Sequence, residues 1–292
     1  MKTFPRLLAV CAAALCAAAP LRADDTIAQV ITKARARIGT EAALAKVTAV
    51  RYQGAIAIAG SNDLPISLDV IFQSPYRMLQ RVTSAKGTEV LALDGYEGWT
   101  MSLGPKSELI RGGNLSADAI ARHRASVWEN LSFFSGIELV NGSIEDGGTV
   151  TLDGQPARKL VFRHGTRAWY ARWFDPATGR LIQSETEDGT IIREEGELLA
   201  ADLRFPKKLI NSARKDGKLE VVSTIVFDKV ILNDLLPDKA FAPPRPAAAA
   251  PAPKPPAPAT LTLAPLMPLP KATPSSSSSN ITLPTLPPPP TK

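Results

Sequence analysis

Residues 68–101 read LDVIFQSPYRMLQRVTSAKGTEVLALDGYEGWTM, and a period of two runs through most of that stretch. Leu68, Val70 and Phe72 alternate with Asp69 and Gln73 until Ser74-Pro75 breaks the run at a turn; Tyr76, Met78 and Val82 then resume it. Proline has no N–H to give to a ladder, so it marks an end of the strand rather than its middle. Asp94-Gly95 is a hairpin-type pair, because glycine takes the positive φ that a tight reversal requires. Trp99, Met101 and Leu103 continue beyond it as another strand.

The alternation extends upstream, where Tyr52, Gly54, Ile56 and Ile58 alternate with Gln53, Ala55, Ala57 and Ala59. Before it the period lengthens. Ile27, Val30, Ile31, Ala34 and Ile38 recur at helical spacing, which predicts an amphipathic helix that Gly39 interrupts and residues 41–47 continue. A second helix is predicted from Ser116, a good cap, with an apolar face of Ile120, Val127, Leu131 and Phe134 broadened by Trp128 and Phe133. From Thr149 short strands return, separated by Asp153-Gly154, residues 175–179, Asp188-Gly189 and Asp216-Gly217. Short strands with such turns connect antiparallel, so the expected fold class is mainly β (α+β): one curled sheet or barrel. Both helices should lie on its concave side, since each carries an apolar stripe that has to be covered.

The ends read differently. Lys2 and Arg6 precede the apolar run 7–19, and Leu21-Arg22-Ala23 offers a small residue for cleavage, so residues 1–23 are expected to be a secretory signal peptide and the mature chain periplasmic. The run is short of the ~20 residues that span a bilayer. Cys11 and Cys16 both fall inside it, behind Val10 and Leu15 rather than the small residue a lipid-modified cysteine wants, leaving the mature chain without thiol chemistry. Of the 26 prolines, 17 lie in residues 243–292. Such a stretch buries too little apolar surface to offset its ordering entropy, so 245–292 is expected to be an extended tail: a solvated spacer, or a segment that docks on an envelope protein. Residues 24–244 hold 27 basic and 28 acidic residues, so the chain's net charge of +6 belongs to its ends and no nucleic-acid partner is expected. About 220 residues remain, the size of one β domain.

Several short motifs occur in order: Tyr52-Gln53-Gly54, Phe72-x-x-Pro75-x-Arg77, Asp94-Gly95-x-x-Gly98-Trp99, Phe174-Asp175-Pro176-x-Thr178-Gly179-Arg180-Leu181, Phe205-Pro206 and Pro237-Asp238-x-x-Phe241-x-Pro243-Pro244. With them, residues 24–244 resemble the outer membrane lipoprotein-sorting proteins, relatives of the periplasmic carrier LolA. The resemblance implies an unclosed antiparallel β-barrel of about 11 strands, with an N-terminal helix and an inserted helix over the concave face. It also implies an apolar cavity for the acyl chains of lipoproteins or other lipids, in a monomer with no catalytic role and no cofactor. No residue matches the arginine that gates the lid in those carriers, and Arg77 matches a strand motif only.

The expected cavity lining is the alternating set Ile56, Ile58, Leu68, Val70, Phe72 and Met78 with Trp99 and Met101, capped by Leu131 and Phe134. A plain core would use the same residue types. His123 and His164, the only histidines, read as solvent-exposed singletons without cysteine to build a zinc site. Glu185, Glu187, Asp188, Glu194, Glu195 and Glu197 read as a solvated hairpin, although paired carboxylates could also hold calcium or hydrolyse a glycan. Three classes of function follow: a carrier of acylated cargo, an envelope scaffold or sensor that uses the tail, and a hydrolase. The first needs an open cavity, the second only a surface, the third a polar cluster in a cleft.

Overall fold

The structure is a computed structural model and describes residues 25–61 and 66–243. The expected export segment, 1–23, and the proline-rich tail, 245–292, lie outside the described residues.

Helix α1, Ile27–Ile38, opens on a reciprocal cap in which the Thr26 hydroxyl accepts from the Gln29 N–H and the Gln29 side chain accepts from the Thr26 N–H. Helical spacing puts Val30 and Ala34 on one face, and both are buried against Phe134, Phe162 and Phe174. After Gly39 and the short α2, Glu41–Leu44, the chain enters β1, Ala49–Ile58. Strands β2 (Ile66–Gln73), β3 (Arg77–Ser84), β4 (Gly87–Asp94), β5 (Glu97–Leu103) and β6 (Leu109–Asn114) follow as antiparallel hairpins. Helix α3, Ala117–Leu131, leads through a short 3-10 turn to β7 (Gly142–Leu152), β8 (Gln155–His164), β9 (Ala168–Phe174), β10 (Leu181–Thr186), β11 (Ile191–Ala200), β12 (Leu203–Lys215) and β13 (Lys218–Leu232).

All 13 strands form one sheet in the order β6-β5-β4-β3-β2-β1-β13-β12-β11-β10-β9-β8-β7. The two halves of the chain are therefore zipped together along β1 and β13, while β6 and β7 are left as free edges. This is an unclosed antiparallel half-barrel. It has 13 strands where the resemblance implied about 11; β6, LIRGGN, is exposed at every residue and carries no alternation to read. Helix α3 is the connection between the two edges and packs on β1, β2, β3, β4 and β9, so it crosses the concave side.

Register decides which side chains meet that helix. Phe72 pairs with Val50 and Met78, Val70 with Tyr52 and Gln80, and Met78 with Leu93. The apolar members of this inner face join Val127 of α3 and Phe205 and Phe227 of the far half in the largest core cluster. A bulge at Gln53/Gly54 against β13 brings β1 so close that a Cβ on Gly54 would lie 2.1 Å from the Val226 carbonyl oxygen. The residue skipped on β13 is Asp228, which is why Phe227 and Val230 both face inward although they are three apart.

The alternate residues Ile71, Leu79, Val90 and Ala92 face outward, where the C-terminal segment covers them. Phe241 is fully buried there beside Trp99 and Leu236, a burial that contributes about 1.5–3 kcal/mol. Trp99 Nε1 donates to the Phe241 carbonyl at 2.8 Å, and Arg77 pairs with Asp94 at 2.8 Å and Asp238 at 2.7 Å. The Gln73 side chain donates to the Leu236 carbonyl and accepts from its N–H. The motifs at 72–77, 94–99 and 237–241 thus converge on the convex face, where they fasten residues 236–241 to the sheet.

Candidate functional site

Between the inner face of the sheet and the helices lies a cavity of about 750 Å³, within the ~300–1,000 Å³ range of small-molecule sites. Its two ends differ in character. Toward β1, β2, β12 and β13 the wall is apolar, built from Ile56, Leu68, Val70, Phe72, Leu209 and Ile225 with the rings of Phe205 and Phe227. Toward β9, β10 and β11 it is polar, with Arg172, Ser184, Thr186 and Glu194, and with Arg37, Arg180, Glu197 and Arg204.

The roof is α3, started by the Ser116 hydroxyl accepting from the Ala119 N–H. It is held on both sides of the half-barrel. On one side the Arg124 guanidinium sits between the rings of Tyr76 and Tyr96, 3.7 and 3.8 Å from their centroids, and donates to the Gly95 carbonyl at 2.9 Å. On the other side Glu129, whose side chain is only 4% exposed, lies 2.5 Å from His164 Nε2 and 2.6 Å from Arg172 Nη2. The Arg172 contact is close enough for an ion pair but is not aligned as a hydrogen bond, and Arg172 Nε has no hydrogen-bond partner among the described residues. Arg172 is further packed against the rings of Phe134, Phe162 and Tyr170. Past the end of α3, Phe133 and Phe134 both take positive φ, 49° and 68°. This conformation is costly for aromatic residues. Arg35 of α1 holds it, donating to the Ser132 and Phe133 carbonyls at 2.9 and 2.8 Å and to the Ser135 hydroxyl at 2.7 Å.

Charges at the polar end are arranged unevenly. Arg37 and Arg204 share Glu197, whereas the Glu194 side chain makes no hydrogen bond and no ion pair among the described residues. Burial pushes the Glu194 carboxyl from its usual 4.5 up to about 7, with Arg172 and Arg180 pulling the other way. Burial, and then the nearby Glu194, pushes the Tyr52 hydroxyl well above its usual range. No group of three His, Cys, Asp or Glu among the described residues could hold a metal ion.

Of the residues expected to line a cavity, Ile56, Leu68, Val70, Phe72 and Phe134 do lie on this one. Met78 faces the same side but is sealed in the core with Leu93, and Leu131 packs against that core rather than the void. Ile58 is at the strand end and 41% exposed. Trp99 and Met101 are on the wrong face. The turn after Asp94 sets Leu93 opposite Gly98, so Trp99 falls opposite Ala92 and Met101 opposite Val90, both on the convex side. The histidines also differ from expectation: His164 is buried against Glu129, and burial, then the Arg122 charge, holds His123 down at about 4. The acidic stretch divides in the same way. Asp188 caps its own turn through the Thr190 N–H and hydroxyl, Glu197 sits between two arginines, and Glu194 turns into the cavity. The sequence reading missed Leu209, Ile225, Phe205 and Phe227, since alternation along β12 and β13 does not by itself say which face is inward, and it missed Arg172 and Arg180 because charge alone does not tell a rim from a wall.

No protein-family model matches the chain, and no curated protein matches it. Among solved structures, a LolA superfamily protein from Nitrosomonas europaea superposes with a TM-score of 0.50 at 16% identity, over 75% of this chain and 98% of that one. An inferred outer membrane lipoprotein-sorting protein domain from Vibrio parahaemolyticus gives 0.47 at 9% identity, over 73% and 94%. A DUF1329 family protein from Desulfovibrio piger gives 0.47 at 8%, over 75% and 98%. The superposition on the Nitrosomonas europaea structure shows that the chain has an unclosed half-barrel fold of this kind. In particular, its fold is LolA-like.

Proposed function

We propose that the protein is a non-catalytic periplasmic carrier that shelters the acyl part of a lipid or lipoprotein in the cavity under α3, acting as a monomer. The observation that carries this reading is the apolar half of the cavity, which remains open although its wall of Ile56, Leu68, Val70, Phe72, Leu209 and Ile225 belongs to the inner face that elsewhere packs solidly. Water in such a space is poorly bound, and an acyl chain gains about 0.8 kcal/mol for each methylene it buries. The roof is attached by side chains rather than by strand pairing, so a chain can enter by moving α3 without breaking the sheet.

The reading is tested by purifying the chain from a bacterial periplasm, sequencing its N-terminus and weighing it by native mass spectrometry. A start at Asp24 and a bound acyl mass are expected. Ile225→Trp, which fills the apolar end without placing a charge there, should remove that mass while leaving the far-ultraviolet dichroism native. A wild-type protein that emerges empty and then fails to bind an added fluorescent fatty acid refutes the carrier reading.

A further inference from the structure

The geometry points to a bound amphiphile whose head group is anionic, a carboxylate or a phosphate, received by Arg172 and Arg180 at the β9–β11 end while its chain lies along the β1, β2, β12 and β13 wall. This rests on the carrier reading above and adds to it the polarity and the direction of the cargo.

Three features of the polar end leave charge or donors available to a ligand. The Arg172 Nε–H has no hydrogen-bond partner among the described residues although its side chain is only 10% exposed, and buried guanidinium donors are normally satisfied. Arg180 lines the same space and makes no ion pair or side-chain hydrogen bond among the described residues. Asp175, which feels the Arg180 charge, is already occupied by the Thr178 hydroxyl at 2.7 Å and the Ala177 N–H at 2.8 Å. Glu194 stands close enough to both arginines to feel them, yet pairs with neither. Four guanidinium groups, of Arg37, Arg172, Arg180 and Arg204, therefore border this end against the paired carboxylates of Glu129 and Glu197. Even with Glu194 ionised, the four guanidinium groups outnumber the three carboxylates, so the excess charge is positive. Guanidinium groups recognise carboxylate and phosphate through parallel N–H donors, and they do so most strongly where water is partly excluded. An apolar chain ending in an anion matches both ends at once. A cationic head meets the arginines, and a neutral one leaves their donors unused.

The test is displacement of the neutral fluorophore aminoanthracene from the delipidated mature chain by four single-chain amphiphiles of the same length: hexadecanoate, hexadecanol, hexadecyltrimethylammonium and palmitoyl lysophosphatidylglycerol. Both anions are expected to bind roughly tenfold more tightly than the alcohol, the scale of one charge-assisted hydrogen-bonded pair. Arg180→Met, at an exposed turn position, should collapse that anion-to-alcohol ratio. Whichever anion binds better identifies the source, a lipid phosphate or a free fatty acid, and either order supports the assignment. The alcohol or the ammonium binding as tightly as the anions overturns the head-group assignment while the carrier reading stands. So does a ratio unmoved by Arg180→Met. Failure of all four amphiphiles to displace the probe defeats the carrier reading itself.

Discussion

Glu194→Gln should stabilise the protein at alkaline pH and do little at acid pH. The side chain lies on the cavity wall without a partner, and its carboxyl is pushed from 4.5 up to about 7, mainly by burial. The unfolded chain releases this proton near 4.5, whereas the folded chain keeps it until about 7. Between those values the folded state binds more protons, so stability falls as pH rises through the window and stays reduced above it. At about 1.4 kcal/mol per pH unit, the gap of 2.5 units between 4.5 and about 7 amounts to about 3 kcal/mol, an upper bound because the cavity admits water. Glutamine has the same shape and no proton to lose, so it lacks this slope. Urea unfolding of both proteins at about pH 4.5 and about pH 8 isolates the effect, because every other titrating group cancels in the difference between them. The advantage of the glutamine variant should grow by about 2–3 kcal/mol from the lower pH to the higher. An advantage that is the same at both values, or larger in acid, refutes the placement of Glu194 in a desolvated wall.

Three further outcomes are expected. Glu129→Ala strands His164 and Arg172 in the interior, so it should cost about 3–5 kcal/mol in denaturant unfolding; hydrogen exchange should speed up first along α3, and an unaltered exchange rate there would mean that α3 is held by other contacts. Phe241→Ala empties the convex cluster around Ile71, Leu79 and Trp99 and should lower stability by about 3–5 kcal/mol, while hexadecanoate binding, measured under native conditions, persists because the cavity lies on the other face. Gly54→Ala forces a Cβ against the Val226 carbonyl and should cost more than about 2 kcal/mol; a melting temperature equal to wild type would show that the bulge relaxes.

Three of the motifs that carry the resemblance illustrate how a sequence signal can point to a fold without pointing to a site, whereas the others bring Tyr52, Arg180 and Phe205 to the cavity. Phe72-x-x-Pro75-x-Arg77, Asp94-Gly95-x-x-Gly98-Trp99 and Pro237-Asp238-x-x-Phe241 are the most legible stretches of the chain, and they meet through Arg77–Asp94, Arg77–Asp238 and Trp99–Phe241 on the convex side. Only Phe72 among them looks into the cavity. Their spacing is demanding because a strap must reach several strands at set points. A greasy wall makes no such demand, since many apolar residues satisfy it equally well.

What the sequence determined by itself was local: helix faces from the spacing of Val30 and Ala34, a cap at Ser116, hairpins at Asp94-Gly95 and Asp216-Gly217, and with them an antiparallel sheet covered by helices. These follow from backbone geometry and from apolar periods of two and 3.6 residues, which are properties of neighbours in the chain. The tertiary structure alone decided which alternate set faces inward, because parity carries across a hairpin only when the turn length is known and is lost at the β13 bulge. Trp99 and Phe227 were misplaced or missed for that reason. It alone also brought Glu129 to Arg172 and set Arg172 and Arg180 around Glu194. Charges so far apart in sequence show no pattern until the sheet has curled, and the polar end of the cavity is made entirely of such meetings.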